Sequence, residues 1–277
     1  MPTHLANVSF DFDAISGWTA RGMKTPTPVS RGEFGAVAVP RILKLLDRYG
    51  IKASFFVPGM TIETYPREVE MILEGGHEVG HHGWTHVPPA NLKEGEEEAH
   101  LVRANDLIEK VTGQKARGYR SPAWDLSDQT VDLLLKHGFL YDSSMMGHDW
   151  MPYYARTGDQ VSDTEKTVFG PETSLVELPI SWSLDDFPHF EYIRLPNMLF
   201  PGLQNANNVL ENWCDEFTYM VRNTDWGLLN YTMHPFVIGR GHRMLMLERF
   251  IQNLMEQGAE FVTLEEGARR WISTQMN

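Results

Sequence analysis

Five glycines set the frame of this chain. Gly50, Gly75, Gly113, Gly138 and Gly258 each stand between a segment of helical apolar spacing and a short β-prone run. A glycine there accepts the left-handed conformation that ends a helix. Before Gly50, Val39, Ile42, Leu43 and Leu46 share one face of a helix over 36–48. Pro66, tolerated in a first turn, opens the next helix with Val69, Ile72 and Leu73. Leu101, Ala104, Ile108 and Val111 mark a third. Val131, Leu134 and Leu135 mark a fourth, with Ser127 as its N-cap. The runs after the glycines read as strands near 53–57, 77–80, 116–119, 139–142 and 260–262. A strand at 5–13, a helix at 206–222, a strand at 228–233 and a helix at 244–257 complete the rhythm. Thr263 and Glu266 have the capping-box spacing of one last helix. Repeated helix–Gly–strand units require parallel strands with helical crossovers, hence a doubly wound sheet or a barrel. Two stretches, 14–35 and 145–205, break the rhythm and read as long loops, which in a compact domain are often functional.

Charge and cysteine content narrow the partners. Twenty-four basic residues against 37 acidic ones leave a net charge of −13 among 277 residues. Nucleic acid and anionic membranes both select a basic footprint, so neither is an expected partner. No apolar run approaches the ~18 residues of a membrane span. The first residues lack the basic and apolar regions of a secretory signal. The single Cys214 cannot form an internal disulfide, which suits a reducing compartment. The expectation is one catalytic domain over 1–277, cytoplasmic, with a small substrate. Cys214 itself has no histidine or acid pattern around it and reads as packing.

Polar residues collect just after the strands. Ser9-Phe-Asp-Phe-Asp13 ends the first, and Asp11 and Asp13, two apart, point the same way on a strand. His77-Glu-Val-Gly-His-His-Gly-Trp-Thr-His86 follows the third. On a helical turn His82 and His86 would share a face and could bind one metal, with His77 and His81 structural. Arg120-Ser-Pro-Ala-Trp124 could orient a carboxylate through a forked pair. In Glu177-Leu-Pro-Ile-Ser-Trp-Ser-Leu-Asp-Asp186, Trp182 could wall a pocket and Asp185 or Asp186 could hold a histidine. His234 ends the apolar strand Leu228–Met233, with Pro235 fixing the exit. Taken singly, each cluster has a bland reading as turn acids, core histidines or surface salt bridges. Their shared position at the exit of parallel strands, where α/β sites form, favours one assembled site.

In this order the five segments resemble the polysaccharide deacetylase family, the NodB-homology or carbohydrate esterase family four fold. The family's order is T-F-D-D, H-x-x-x-H, R-x-P, a tryptophan–aspartate segment and a leucine–histidine strand. Ala53-Ser-Phe-Phe-Val57, Gly76-His-Glu-Val-Gly80 and Tyr141-Asp-Ser-Ser-Met145 are similar to it as well. The resemblance covers about residues 8–265. It implies an α/β fold, a distorted (β/α)7 barrel with long active-site loops. It implies one divalent metal, zinc first, with cobalt, nickel or iron as alternatives, held by Asp13, His82 and His86. By the same match Asp11 is the general base, Arg120 holds Asp11, Trp182 lines the pocket and His234 is the general acid. Asp185 or Asp186 pairs with His234. This chain departs from the pattern by separating its aspartates with Phe12 and by carrying Ala123 after the proline, where Trp124 stands in for an aromatic. With no signal segment, it is closer to a branch holding peptidoglycan-deacetylase-like proteins and cyclic imide or ureide hydrolases, which implies a homo-oligomer.

The expected activity is hydrolysis of a C–N amide bond that removes an acetyl group from an N-acetylated sugar or related compound. Ring opening of small cyclic imides or ureides at the same metal is the alternative. A metal-bearing binding module without turnover is the other-class alternative, and it would need neither Asp11 nor His234. Loop aromatics Trp18, Phe34, Trp150, Tyr153, Tyr154, Phe187 and Phe190 could close over a compact ligand or fill an oligomer interface.

Overall fold

A computed structural model describes residues 2–195 and 198–276. In chain order its strands are β1 (Thr3–Asp11), β2 (Ser54–Val57), β3 (Glu78–His81), β4 (Gly118–Tyr119), β5 (Tyr141–Asp142) and β6 (Tyr153–Arg156). They continue with β7 (Glu172–Glu177), β8 (Ile193–Leu195), β9 (Met198–Phe200), β10 (Trp226–Met233) and β11 (Glu260–Phe261). Seven parallel strands lie side by side in the order β10-β1-β2-β3-β4-β5-β7. Antiparallel β6 flanks β7, and β11 runs parallel beside the first half of β1. After β7 the chain returns to β10, where Asp185 and Thr232 form a parallel bridge. The sheet thereby curls into the distorted (β/α)7 barrel expected from the sequence.

The two-residue period of the strands decides what faces inward. On β1, Ala6, Val8 and Phe10 pack outward into the helix-covered core, while Leu5, Asn7, Ser9 and Asp11 face the barrel interior. On β10, Leu229, Tyr231 and Met233 pack outward, and Leu228, Asn230 and Thr232 face inward. Leu5 and Leu228 close the floor against Leu264, Ala268 and Trp271 of the last helix, Leu264–Gln275. Above that floor the interior is polar: Asn7 donates to the Val262 carbonyl, and Ser9 to Asn230. Continuing the same period upward places Asp11 and His234 at the open end.

Several local expectations need correction. Helix Pro26–Arg48 begins ten residues earlier than the apolar spacing suggests and takes in residues 26–35 of the stretch 14–35 expected to be a loop. Helix Thr130–Lys136 starts after Ser127, whose hydroxyl accepts from the Gln129 N–H in the turn before it. Gly75 is right-handed, and its neighbour Gly76 takes the positive φ of 69°. Gly50, Gly113, Gly138 and Gly258 are left-handed as expected. Thr263 caps the final helix by accepting from the Glu266 N–H at 3.2 Å. No helix among the described residues is long and apolar enough to cross a membrane.

Candidate active site

The strand exits converge on one cavity of about 420 Å³. Asp11, Asp13, Arg21, His82, His86, Asp185 and His234 supply its titratable lining. Strand β1 ends at Asp11, so Asp13 is not a strand residue as the i, i+2 reading supposed. It is carried by a turn whose carbonyl accepts from the Ser16 N–H and hydroxyl and from the Thr61 hydroxyl. The next residue, Ala14, has φ 48°. Gly32 of helix Pro26–Arg48 packs against that turn so closely that a Cβ there would lie 2.6 Å from the Ala14 carbonyl oxygen.

His82 and His86 do meet, but not on a helix. Residues 82–86 form a non-helical bend, with left-handed Gly83 (φ 70°) and His86 (φ 62°). His82 Nδ1 is fixed by the Arg120 carbonyl at 2.7 Å, which turns Nε2 toward Asp13 Oδ1 at 3.3 Å. His86 Nε2 lies 3.1 Å from Asp13 Oδ2. These three buried donors lie within 4.8 Å of one another. Asp13 Oδ1 has no hydrogen-bond partner. Two imidazoles and a carboxylate with an orphaned buried oxygen suit a divalent cation with open positions. Burial pushes the Asp13 carboxyl up, but the two imidazoles outweigh it and hold it well below the usual range. Burial also opposes charge on His82, where Asp11 and Asp13 prevail and raise it; at His86 burial prevails and lowers it. His77 and His81 turn away: His77 Nδ1 accepts from the Ala53 N–H and His81 Nε2 meets the Leu101 carbonyl. Burial pushes them down to about 4 and about 3, so both are neutral.

Arg120 is fully buried and fixes Asp11. Its Nη1 donates to Asp11 Oδ1 and to the Ser9 hydroxyl, each at 2.8 Å. Nε and Nη2 hold the Ser143 carbonyl and hydroxyl at 3.1 Å. Asp11 Oδ2 remains 3.9 Å from His82 Nε2. Opposite, His234 Nε2 points at Asp13 Oδ2 from 3.8 Å, and its Nδ1 bonds Asp186 Oδ1 at 2.8 Å. Asp186 also accepts from the His234 N–H. Asp185 stays 3.5 Å from Nδ1 and caps the following turn through the Phe187 N–H. The open choice between the two acids thus falls to Asp186 for the hydrogen bond. Burial lowers His234, but Asp185, Asp186 and Asp13 overcome it and raise it to about 10, so the imidazolium persists at neutral pH. Trp124 and Trp182 stack at 4.0 Å and form one wall. Phe187 and Pro188 of helix Asp186–Phe190, with Ile193 and Phe200 of the antiparallel pair β8 and β9, form another. Ala123 (φ 54°) and Trp124 (φ 56°) join Ala14 and His86 as left-handed non-glycine residues around the cavity. Such strain persists where surrounding structure over-determines it, and it clusters at functional sites.

Of the loop aromatics singled out from sequence, Phe187 alone lines this cavity among the described residues. Trp18 and Phe190 are in the core. Trp150 packs on Tyr219, and Tyr154 on Trp271. Phe34 lies under Arg41 and Arg240. Cys214 is half-buried, and burial pushes its thiol up to about 11.

The sequence did not single out Arg21, Ser143, Asn230 or the pair Asp142–Glu177. The pair faces across β5 and β7, fully buried. Ser144 donates to Asp142, and Glu177 Oε1 accepts from the N–H groups of Ser144 and Met145, so the pair fixes the turn that holds Arg120. Asp142 Oδ2 and Glu177 Oε2 each lack a partner, and one shared proton would satisfy both. Burial raises both, Asp142 to about 6 and Glu177 well above its usual value. A carboxyl that binds its proton more tightly when folded contributes stability below about pH 4 that is lost as pH rises through the folded value. The melting temperature should therefore fall from pH 5 to pH 8, and fall less in Glu177→Gln, whose amide donates without titrating. Parallel thermal-shift curves for the two proteins would rule out proton sharing.

Comparison with known proteins agrees with this architecture. The polysaccharide deacetylase family model matches residues 31–141. A peptidoglycan deacetylase of Helicobacter pylori is 38% identical over 270 residues, covering 92% of each chain. A crystal structure from Mycobacterium smegmatis, assigned to the polysaccharide deacetylases, superposes with a TM-score of 0.86 at 30% identity, covering 99% of this chain and 92% of that one. An allantoinase structure shares the fold, with a TM-score of 0.74 at 19% identity over 98% of this chain and 90% of its own.

Proposed function

Since the chain belongs to the polysaccharide deacetylase family, we propose that it is a divalent-metal-dependent hydrolase that removes an acetyl group from an N-acetylated sugar or a related N-acyl compound. One observation carries this reading: Asp11 and His234 face each other across the donors Asp13, His82 and His86 in a single cavity. Asp13, His82 and His86 would hold the metal, zinc by preference, and when bound it would polarise the amide carbonyl and bring the pKa of water toward ~7.

The remaining chemistry belongs to the chain. Asp11, with Oδ1 tied to Arg120, presents Oδ2 on the side of His82 Nε2, where it takes the proton of the attacking water. An amide nitrogen leaves poorly as an anion. His234, charged and steadied by Asp186, delivers a proton to it from Nε2. The Trp124–Trp182 stack orients the acyl group, and Phe187 helps to exclude water.

Acetate release from N-acetylated sugars by zinc-reconstituted protein tests this directly. Turnover that a chelator removes and added zinc restores is the expected result. A fully metal-loaded protein that hydrolyses no amide would overturn it. A second reading, ring opening of cyclic imides or ureides, draws support from the Phe187–Phe200 wall, which encloses the site and favours a compact substrate. The allantoinase likeness supports that reading only at the level of fold. A five- or six-membered imide in the same screen separates the two.

A further inference from the structure

We propose that Arg21 is an anion-recognition residue of this cavity and that the substrate is an N-acetylated amine carrying a carboxylate beside the departing nitrogen. The inference rests on the deacetylase reading and specifies its substrate class.

Arg21 follows the short helix Ser16–Thr19, just past the Asp13 turn, and lines the same cavity as the candidate catalytic residues. Other arginines of the fold that are buried or partly buried have acids of their own. Arg120 pairs with Asp11, and Arg31 and Arg243 pair with Glu191. Among the described residues Arg21 makes no such ion pair, and its one side-chain hydrogen bond runs from Nη1 to the Gly17 carbonyl. The rest of its planar fork is uncommitted. A guanidinium in that state is suited to a carboxylate, which it can bind through two parallel N–H···O bonds.

Position fixes the side of the substrate on which the anion sits. The Arg21 guanidinium lies over the Phe187 ring, 5.4 Å from its centroid. The same ring also neighbours His234, at 5.4 Å between centroids. Arg21 and His234 therefore share a wall, and His234 is the group assigned to the departing nitrogen. An anion held by Arg21 belongs to the amine half of the substrate, not to the acetyl half. Electrostatics agree. Asp11 is matched by Arg120 and Asp186 by His234, burial raises Asp185 to about 8 so that it keeps its proton at neutral pH, and a cation bound at Asp13 would neutralise that carboxylate, leaving Arg21 without an internal counter-charge. The stacked Trp124–Trp182 wall stands apart as the apolar surface for the acyl group or a sugar face.

Two sources offer this chemistry, an acidic N-acetylated sugar and an N-acetylated amino acid. Zinc-loaded protein would be assayed on two matched pairs: N-acetylmuramic acid against N-acetylglucosamine, and N-acetylalanine against N-acetylalaninamide. In at least one pair, which identifies the source, the acid should exceed its neutral partner by tenfold or more in kcat/KM, chiefly through KM. Arg21→Ala should bring that ratio to within threefold of one, and Arg21→Lys should keep part of it. Equal use of acid and neutral compounds by the native protein, or a preference that survives Arg21→Ala, would overturn the proposal. If none of the four is hydrolysed, the deacetylase reading fails for these substrates. Calorimetric Kd values for the same compounds on native and Arg21→Ala protein then decide the charge preference separately, and equal Kd values would reject it.

Discussion

Alanine at position 82 will leave a folded protein that retains no stoichiometric divalent metal and no measurable amide turnover, a loss of about 10³-fold or more if water activation depends on the metal. His82 contributes one of three donors, and its Nδ1 is already committed to the Arg120 carbonyl, so no other group can take over the position of Nε2. The substitution also leaves that carbonyl unsatisfied in a buried place, which costs about 1–3 kcal/mol and lowers the melting temperature. Metal content by elemental analysis, circular dichroism and acetate release separate these effects. A metal-free His82→Ala protein with native turnover would sink the metal mechanism. Asp13→Asn serves as a second reading of the same donor set. It keeps volume and the oxygen facing one histidine but removes the charge that faces both.

Much of this arrangement was legible because strand periodicity and strand exits are local. Asp11 and His234 stand at the ends of two strands that the apolar residues around them announce. The His82–His86 spacing was a correct pointer with a wrong local geometry, since Gly83 and the left-handed His86 bring the rings together without a helical turn. Helix Pro26–Arg48 was half hidden because Pro26, Pro28, Gly32 and Gly35 all read as breakers. The prolines at 26 and 28 stand in its first turn, where no N–H is needed. The two glycines are there for contact: Gly32 meets the Ala14 backbone, and a Cβ on Gly35 would lie 3.2 Å from the Phe12 ring. A helix that must approach the Asp13 turn this closely loses the residues that would identify it. Asp142 and Glu177 are 35 positions apart and meet only through the parallel register of β5 and β7, which one sequence does not encode locally. Arg21 lies in an irregular segment with no periodicity to mark it.

Replacing Arg120 with methionine will separate stability and catalysis from metal binding. The guanidinium is completely buried, bonded to Asp11, Ser9 and Ser143, and packed on Phe56 with Cζ 4.2 Å from the ring centroid. Removing it leaves the Asp11 carboxylate without its counter-ion, and breaking a buried pair from one side costs about 3–5 kcal/mol. In a chain of this size that is on the order of 10 °C of melting temperature. Asp11 would also lose the contact that aims Oδ2, so kcat should fall by about 10²-fold or more, the range expected for a displaced general base. Asp13, His82 and His86 all remain, so zinc content should stay near one per chain, the opposite of His82→Ala. Arg120→Lys guards against a variant too unstable to purify. Its ammonium can satisfy Asp11 or Ser143 but not both in a forked geometry, so it should recover part of the stability and little of kcat. A zinc-replete Arg120→Lys or Arg120→Met enzyme with native kcat would show that Asp11 needs no such anchor, and the assignment of Asp11 as the base would lose its structural support.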